Sequence, residues 1–190
     1  MHRLLWLLAL ISPTAVADGV RGDADVKLYL TSAAINVLDE LVPLLPFEAS
    51  GRTACYITTA GNLEGTPPWM EDEIDAVEKI GFSVRRGDLA KLSVDTLPDA
   101  FAGCDIFWVG GGNTYYLLQE VRRSGFDDFI IDRINAGVPY VGTSAGSLIV
   151  APDIGCIKYA EEHPDLELSL ESYDALNVFP LVPFVHCTRK

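Results

Sequence analysis

The sequence has 190 residues, 49% of them hydrophobic and 22% charged, which is enough apolar material for one buried core. Its 14 basic and 27 acidic residues give a formal net charge of −13, a field that repels nucleic acids and anionic membrane surfaces. Both classes of partner are therefore excluded. The regular recurrence of apolar runs also excludes a disordered chain.

The first part of the chain differs in composition from the rest. A basic start, Met1–Arg3, precedes the apolar stretch Leu4–Ile11 and the small residues Ala15–Ala17, a pattern typical of a secretory signal. Residues 18–25 are polar, acidic and rich in glycine, as in a linker. We interpret residues 1–25 as a leader or a disordered extension and expect a single folded domain over 26–190.

From Val26 onward, short apolar runs alternate with longer segments of helical spacing. This alternation predicts an α/β fold with a mostly parallel sheet and helices on both faces. The predicted strands are 26–30, 54–58, 82–84, 106–109 and 140–142, with a further strand over 178–185. The predicted helices are 35–45, 70–80, 115–123 and 126–136.

The four cysteines, Cys55, Cys104, Cys156 and Cys187, are far apart and form no C-x-x-C pair. This spacing gives no support to a zinc ribbon or a thioredoxin-type redox site. Cys55 and Cys104 lie within apolar runs, and we interpret them as small buried hydrophobic residues rather than as part of a disulfide framework. No metal or other cofactor is expected.

A candidate nucleophile follows the last of the regularly spaced strands. Gly142-Thr143-Ser144-Ala145-Gly146 fits the G-x-S-x-G pattern and stands between an apolar strand and another apolar stretch. A serine on such a strained turn needs small neighbours, and the turn exposes its hydroxyl above the sheet edge. The alternative interpretation is a glycine-rich turn that binds nothing.

A second glycine-rich turn, Gly110–Gly112, follows the strand 106–109. Its backbone N–H groups could face an anion or a developing oxyanion. A dinucleotide fingerprint is a poor alternative, because counting G-x-G-x-x-G from Gly110 would require a glycine at Tyr115. Ligands of open α/β sheets collect at the carboxyl ends of adjacent strands, so this turn and Ser144 are expected to line one crevice.

A nucleophilic serine requires a base, and outside the leader the sequence offers His163 and His186. His163 lies in a polar loop, whereas His186 follows the apolar run 178–185 and is expected at a strand end, so His186 is the better candidate. The spacing leaves open which acid orients the imidazole. The candidates between Ser144 and His186 are Glu161, Glu162, Asp165, Glu167, Glu171 and Asp174.

Together, four stretches resemble the family of serine peptidases that contains dipeptidase E, the α-aspartyl dipeptidase, and cyanophycinase. They are Lys27–Ser32, Gly110–Thr114, Gly142–Gly146 and Asp174–His186, and the resemblance covers Val26 to Lys190 in the right order. It implies a glutamine-amidotransferase-like, flavodoxin-like three-layer fold in which a serine replaces the cysteine nucleophile.

The resemblance also implies roles for individual residues. Ser144 matches the family serine and His186 the family histidine, and Glu162 is assigned as the acid, with Glu161 and Asp165 as alternatives. The implied oxyanion hole consists of backbone N–H groups from the glycine loop and from the residue after the serine. These residues are Gly111, Gly112 and Ala145.

Two further expectations concern the extent and the location of the protein. Family members continue past the histidine with strands and a helix, so the resemblance implies that this domain lacks its C-terminal part and exposes an unpaired sheet edge. The resemblance favours the cytoplasm, and the leader favours export as the alternative. The oligomeric state is left open.

The leading functional hypothesis is a serine exopeptidase that hydrolyses short peptides, in particular dipeptides with N-terminal aspartate. Such a preference would need a cationic pocket, for which the sequence offers Arg52, Arg85, Arg86 and Lys158. One alternative is cyanophycinase-like cleavage of an aspartate-arginine polymer. The other is an inactive amidotransferase-like binding domain.

Overall fold

A computed structural model describes residues 26–65, 67–157 and 170–186. It contains a five-stranded, entirely parallel sheet with the order β1-β5-β4-β2-β3. The strands are β1 Leu28–Thr31, β2 Thr53–Ile57, β3 Ser83–Gly87, β4 Ile106–Val109 and β5 Tyr140–Thr143. The helices are α1 Leu38–Leu41, α2 Pro68–Lys79, α3 Leu97–Ala100, α4 Thr114–Ser124, α5 Phe126–Asn135 and α6 Ala145–Leu148.

The sheet is apolar on both faces because alternate residues of each strand point to opposite sides. In β4, Phe107 and Val109 join a core with α4 and α5, whereas Ile106 and Trp108 join a second core with α1 and α2. The chain therefore forms three layers, and the predicted α/β class with a mostly parallel sheet is confirmed.

The parallel arrangement brings the carboxyl ends of β1, β5 and β4 to one edge of the sheet. The register aligns Thr31 with Thr143 and Val109 with Gly142. The turn after β4 and the turn after β5 are consequently neighbours, as predicted for the glycine loop and the serine.

The predicted helix over 35–45 forms only in pieces. The structure has a 3-10 turn over Ala34–Asn36, the single α-helical turn α1, and a second 3-10 turn over Val42–Leu44. Pro43 lies inside this segment and has no N–H to continue the helical ladder, which explains the break before Pro46. The short helix α3 and the 3-10 helix Thr59–Glu64 were not predicted.

The predicted strand over 178–185 is wrong. This segment lacks strand structure, and near its start the backbone N–H groups of Val178 and Phe179 donate to the Val150 carbonyl rather than to a sheet strand. Pro180 and Pro183 interrupt the apolar run, and a proline cannot donate to a strand ladder.

The interpretation of Cys55 and Cys104 as unlinked core residues is also wrong. Cys55 in β2 and Cys104 just before β4 form a disulfide, with their Cα atoms 5.7 Å apart. The two strands are hydrogen-bonded neighbours, so the fold brings together cysteines that are 49 positions apart in the sequence. Cys156 is free and exposed, and Cys187 lies outside the described residues.

Within the described part of the chain, none of the helices combines the length and the apolar character that crossing a membrane requires.

Candidate active site

Ser144 occupies the turn between β5 and α6 in a backbone conformation that L-residues rarely adopt, with φ 50° and ψ −109°. Such a conformation costs about 1–3 kcal/mol and persists only where the surroundings fix it. Here the Ser144 N–H donates to the Thr31 carbonyl of the neighbouring strand at 2.9 Å. The turn thus holds the side chain above the sheet edge, as a nucleophile elbow does.

Both glycines of the G-x-S-x-G pattern are required by close packing. A Cβ atom at Gly146 would lie 2.0 Å from the Val109 carbonyl oxygen. A Cβ atom at Gly142 would lie 2.6 Å from the Gly146 carbonyl oxygen. No real Cβ makes contacts this short, so only glycine lets the turn fold against β4.

Ser147 fastens this turn to the sheet from below. Its buried hydroxyl lies 2.8 Å from the carbonyl oxygens of both Thr31 and Gly142, which share its one proton, and it accepts a hydrogen bond from the Thr31 N–H at 2.9 Å. One side chain therefore joins the end of β1 to the end of β5. This bond network fixes the base of the elbow that carries Ser144.

His186 lies directly beside the serine. Its Nε2 atom is 2.8 Å from the Ser144 Oγ atom, a hydrogen-bonding distance across 42 positions of sequence. The His186 N–H donates to the Ser32 Oγ atom at 3.0 Å, so the residue after β1 holds the histidine backbone. The structure therefore brings the predicted nucleophile and base together, although no strand carries His186.

The glycine loop Gly110–Gly112 also lies against the serine. A Cβ atom at Gly111 would be 3.2 Å from the Ser144 Cβ atom. The loop is anchored at both ends, by Gly110 N–H to the Ile57 carbonyl at 3.0 Å and by Asn113 N–H to the Ala60 carbonyl at 2.8 Å. Among the described residues, none of the hydrogen bonds uses the N–H groups of the three predicted oxyanion-hole residues, Gly111, Gly112 and Ala145.

The predicted acid belongs to a part of the chain that the structure does not describe. Glu162 and its alternatives lie in the segment 158–169, outside the described residues, as do His163 and Lys158. Glu171 and Asp174 are described and exposed. Within the described ranges, neither of these carboxylates, nor any other, is hydrogen-bonded to His186.

A cleft of about 760 Å³ opens beside Ser144 and His186. Its lining includes Thr143, Glu73, Trp69 and Glu64, and the Trp69 indole N–H donates to Glu64 at 3.3 Å. Most of its remaining lining is apolar. It includes Ile35, Leu63, Leu148, Ile157, Val182 and Phe184.

Glu73 is a site residue that sequence reasoning missed. It is only 2% exposed, and its Oε1 atom accepts hydrogen bonds from Tyr56 Oη at 2.8 Å, Thr143 Oγ1 at 3.0 Å and Trp108 Nε1 at 3.1 Å. Burial raises the pKa of Tyr56 above its ordinary range, and the charge of Glu73 raises it further. Tyr56 therefore stays protonated and keeps donating to the carboxylate.

A signal for Glu73 exists in the sequence. In helix α2, Met70, Ile74 and Val77 form a buried apolar stripe, and Glu73 occupies a position on the same face. A carboxylate on the apolar face of a helix requires a buried partner set, which marks such a residue for attention.

The arginines considered for a cationic pocket lie elsewhere. Arg52 pairs with Asp105 at 2.8 Å, and Arg86 forms a bidentate pair with Glu71. Arg85 donates to the Ala100 and Ala102 carbonyls. None of these three arginines lines the cleft.

Comparison with known proteins identifies the family that carries this pair of residues. The sequence profile of peptidase family S51 matches residues 31–190, which include both Ser144 and His186. The chain belongs to peptidase family S51. S51 enzymes are serine peptidases, so the predicted family and the predicted enzyme class, a serine-type peptidase acting on peptides, are confirmed.

Several S51 relatives cover most of the chain. An uncharacterized peptidase of Listeria innocua is 36% identical over 175 residues, which cover 86% of this chain and 81% of that protein. Peptidase E of Salmonella arizonae is 29% identical over 153 residues, 80% of this chain and 63% of that protein. A crystal structure of a candidate peptidase E from Listeria monocytogenes has a TM-score of 0.73 and 34% identity, covering 79% of this chain and 73% of that one.

Proposed function

We propose that this S51 protein is a serine exopeptidase that hydrolyses short peptides, in particular dipeptides with N-terminal aspartate. The observation that carries the proposal is the 2.8 Å contact between Ser144 Oγ and His186 Nε2 on a strained strand-to-helix turn. Similarity to proteins named peptidase E supports the choice of short peptides as substrates.

The geometry supports an acyl-enzyme mechanism. Ser144 Oγ attacks the peptide carbonyl while His186 Nε2 accepts the hydroxyl proton, which it then returns to the departing amine. The N–H groups of Gly111, Gly112 and Ala145 would stabilise the negative charge on the carbonyl oxygen. Water activated by His186 releases the acyl group and restores Ser144. Glu162 is the proposed acid that orients the imidazole.

Labelling with a fluorophosphonate tests the assembly of the site. We expect one adduct, located by peptide mass mapping on Ser144 and absent from Ser144→Ala. Ser83→Ala, which removes an exposed serine outside the cleft, is the matched control and should label normally. An adduct elsewhere, or none on folded protein, would contradict the proposed nucleophile.

Turnover measurements test the substrate. Aspartyl-leucine should be hydrolysed, and Ser144→Ala should reduce kcat by several orders of magnitude because no nucleophile remains. Glu162→Gln should lower kcat while Glu161→Gln and Asp165→Asn leave it near the wild-type value. Retention of full activity by Glu162→Gln would assign the orienting role to another carboxylate.

A second candidate, cyanophycinase-like hydrolysis of an aspartate-arginine polymer, is favoured by one observation. The cleft carries the two carboxylates Glu64 and Glu73, which could receive cationic side chains. Comparison of kcat/KM for aspartyl-leucine and for the polymer separates the two candidates. A higher value for the polymer would overturn the dipeptidase proposal.

The disulfide bears on the compartment. Disulfides persist in oxidising environments and are rare in the cytosol, so the Cys55–Cys104 bond supports export over the cytoplasmic location expected from the resemblance. Fractionation of the native cells with detection of this protein by antibody tests this. Recovery in the cytosolic fraction alone would contradict it.

A further inference from the structure

One feature of the cleft has no role in the acyl-transfer mechanism. Glu73 is buried, yet it is part of the cleft wall beside Thr143 and Ser144. All three of its hydrogen bonds are made to one carboxylate oxygen, Oε1. In the part of the chain that the structure describes, its second oxygen, Oε2, accepts none.

The second oxygen is open to the cleft rather than sealed in the core. Of the buried side-chain polar atoms among the described residues, only Asn135 Oδ1 lacks a hydrogen-bond partner. Glu73 Oε2 also has no hydrogen-bond partner, but it does not belong to that fully buried set, so this oxygen keeps some exposed surface. The cleft that Glu73 lines is where we place this exposure. A carboxylate that is fixed by hydrogen bonds at one oxygen and offers the other to a largely apolar cleft is a strong acceptor for a charged donor.

We infer that Glu73 is a specificity-determining residue that binds the α-ammonium group of the N-terminal residue of the substrate. This inference rests on the proposed function. A requirement for a free α-ammonium group would restrict cleavage to the N-terminal residue, as in an exopeptidase. Glu73 Oε1 accepts a hydrogen bond from Thr143, which directly precedes Ser144, and all three residues line the same cleft.

The distances within a peptide agree with this assignment. The nitrogen of an N-terminal residue is two bonds from its own carbonyl carbon, about 2.5 Å away. A carbonyl carbon bonded to Ser144 Oγ therefore keeps its ammonium group close to the serine, within the cleft that Glu73 also lines. A lysine or arginine side chain would place its charge several bonds further from the serine.

The electrostatics agree as well. Tyr56, Trp108 and Thr143 donate to Glu73, and none of them is a cation, so the negative charge of Glu73 is not neutralised by an ion pair in the described residues. The charged carboxylates that line the cleft, Glu64 and Glu73, have no described lysine or arginine beside them in the lining. A ligand cation is the natural complement of such a site.

The test measures binding in the Ser144→Ala background, so that it does not depend on turnover. The probes are aspartyl-leucine and alanyl-leucine, each with a free or an acetylated N-terminus, titrated by calorimetry. We expect acetylation to weaken binding by about tenfold or more, as for loss of a charge-assisted hydrogen bond. Glu73→Gln should weaken binding of the free peptides to the level of the acetylated ones.

Glu71→Gln is the matched control, because Glu71 lies on the same helix but pairs with Arg86 outside the cleft. It should keep the full effect of acetylation. If Glu73→Gln does not fold, Glu73→Asp retains the charge but retracts it by one methylene, and should bind the free peptides more weakly while binding the acetylated ones unchanged.

Each contrary outcome overturns the inference. These outcomes are that acetylation has no effect on binding, that its effect persists in Glu73→Gln, or that neither free peptide binds. Acetyl-lysyl-leucine could also bind as tightly as the free peptides through Glu73, which would assign the site to a side-chain cation instead. Failure of the proposed function shows separately, as absence of labelling at Ser144 in the protein with Glu73 intact.

Discussion

At the scale of single residues, the site depends on backbone positions that admit no side chain. The turn that carries Ser144 folds against β4 so closely that a Cβ atom at Gly146 would overlap the Val109 carbonyl oxygen. The strain at Ser144 is maintained by this contact and by the hydrogen bond to Thr31. At this turn, the position of the nucleophile therefore depends directly on how closely the backbone packs.

The Gly146→Ala variant tests whether the reactivity of Ser144 requires the close packing of this turn. The added methyl would lie 2.0 Å from the Val109 oxygen, so the turn must move. We expect labelling of Ser144 by a fluorophosphonate to fall at least tenfold and the midpoint of thermal unfolding to fall by several degrees.

Gly51→Ala is the control for that change. Gly51 also has a positive φ, of 77°, but a Cβ atom there meets nothing within 4 Å. It should lose about 1 kcal/mol of stability and label at the wild-type rate. Equal labelling of the Gly146 variant and the Gly51 variant would show that the elbow tolerates displacement.

A second residue-scale dependence concerns the histidine. Ser32 accepts the His186 N–H at 3.0 Å, and His186 has a φ of 56°, a conformation that needs support from its surroundings. Ser32→Ala removes the acceptor without touching either member of the pair. We expect kcat/KM to fall about fivefold, the equivalent of one lost hydrogen bond of about 1 kcal/mol, with little change in thermal stability.

The separate effects of Ser32→Ala on kcat and on KM show which role Ser32 has. A fall in kcat at constant KM would assign Ser32 to positioning the base. A rise in KM alone would assign it to substrate contact, since Ser32 also lines the cleft. Unchanged kinetics would show that the segment holding His186 needs no such bond.

At the scale of elements, the sheet is cross-linked between neighbouring strands. β2 and β4 are joined by their ladder and by the Cys55–Cys104 disulfide at its amino end. β4 leads into the glycine loop, and β2 into the 3-10 helix that contacts it through the Ala60 carbonyl. The disulfide thus fixes the two strands that position one side of the site.

Counting thiols tests this bond. Denatured, unreduced protein should expose two reactive thiols, from Cys156 and Cys187, and reduction should raise the number to the four in the sequence. Cys104→Ser should lower the free energy of unfolding by up to about 4 kcal/mol, the chain-entropy value for a loop of this length. Four thiols before reduction would exclude the disulfide.

At the scale of the whole molecule, net charge governs how substrates approach. The formal charge of −13 creates a field that slows the encounter with an anion and speeds it with a cation. The cleft adds two carboxylates to this field. An acidic peptide therefore approaches against the long-range potential, whatever it meets in the site.

Salt dependence measures this field. For a dipeptide of net negative charge, kcat/KM should rise as ionic strength increases from about 0.01 to 0.5 M, because screening weakens the repulsion. For a dipeptide of net positive charge it should fall. For a neutral dipeptide, kcat/KM should not change with ionic strength. The same dependence on ionic strength for all three peptides would contradict long-range steering.

Sequence pattern alone predicted the five strands, the helices α2, α4 and α5, and the turn that carries Ser144. These follow from local periodicity and from glycines at fixed offsets, which short stretches of chain carry in full. It also singled out His186, but for a wrong local reason, since the prolines of the preceding run prevent the strand that was predicted there.

Contacts between distant residues depend on how the elements pack. The contact of His186 with Ser144, the link from Ser32, the pairing of Cys55 with Cys104 and the opening of Glu73 into the cleft all join residues from different elements. Strand order and layer packing set these proximities. Local sequence pattern does not encode them, because the order β1-β5-β4-β2-β3 places neighbours in space that are remote along the chain.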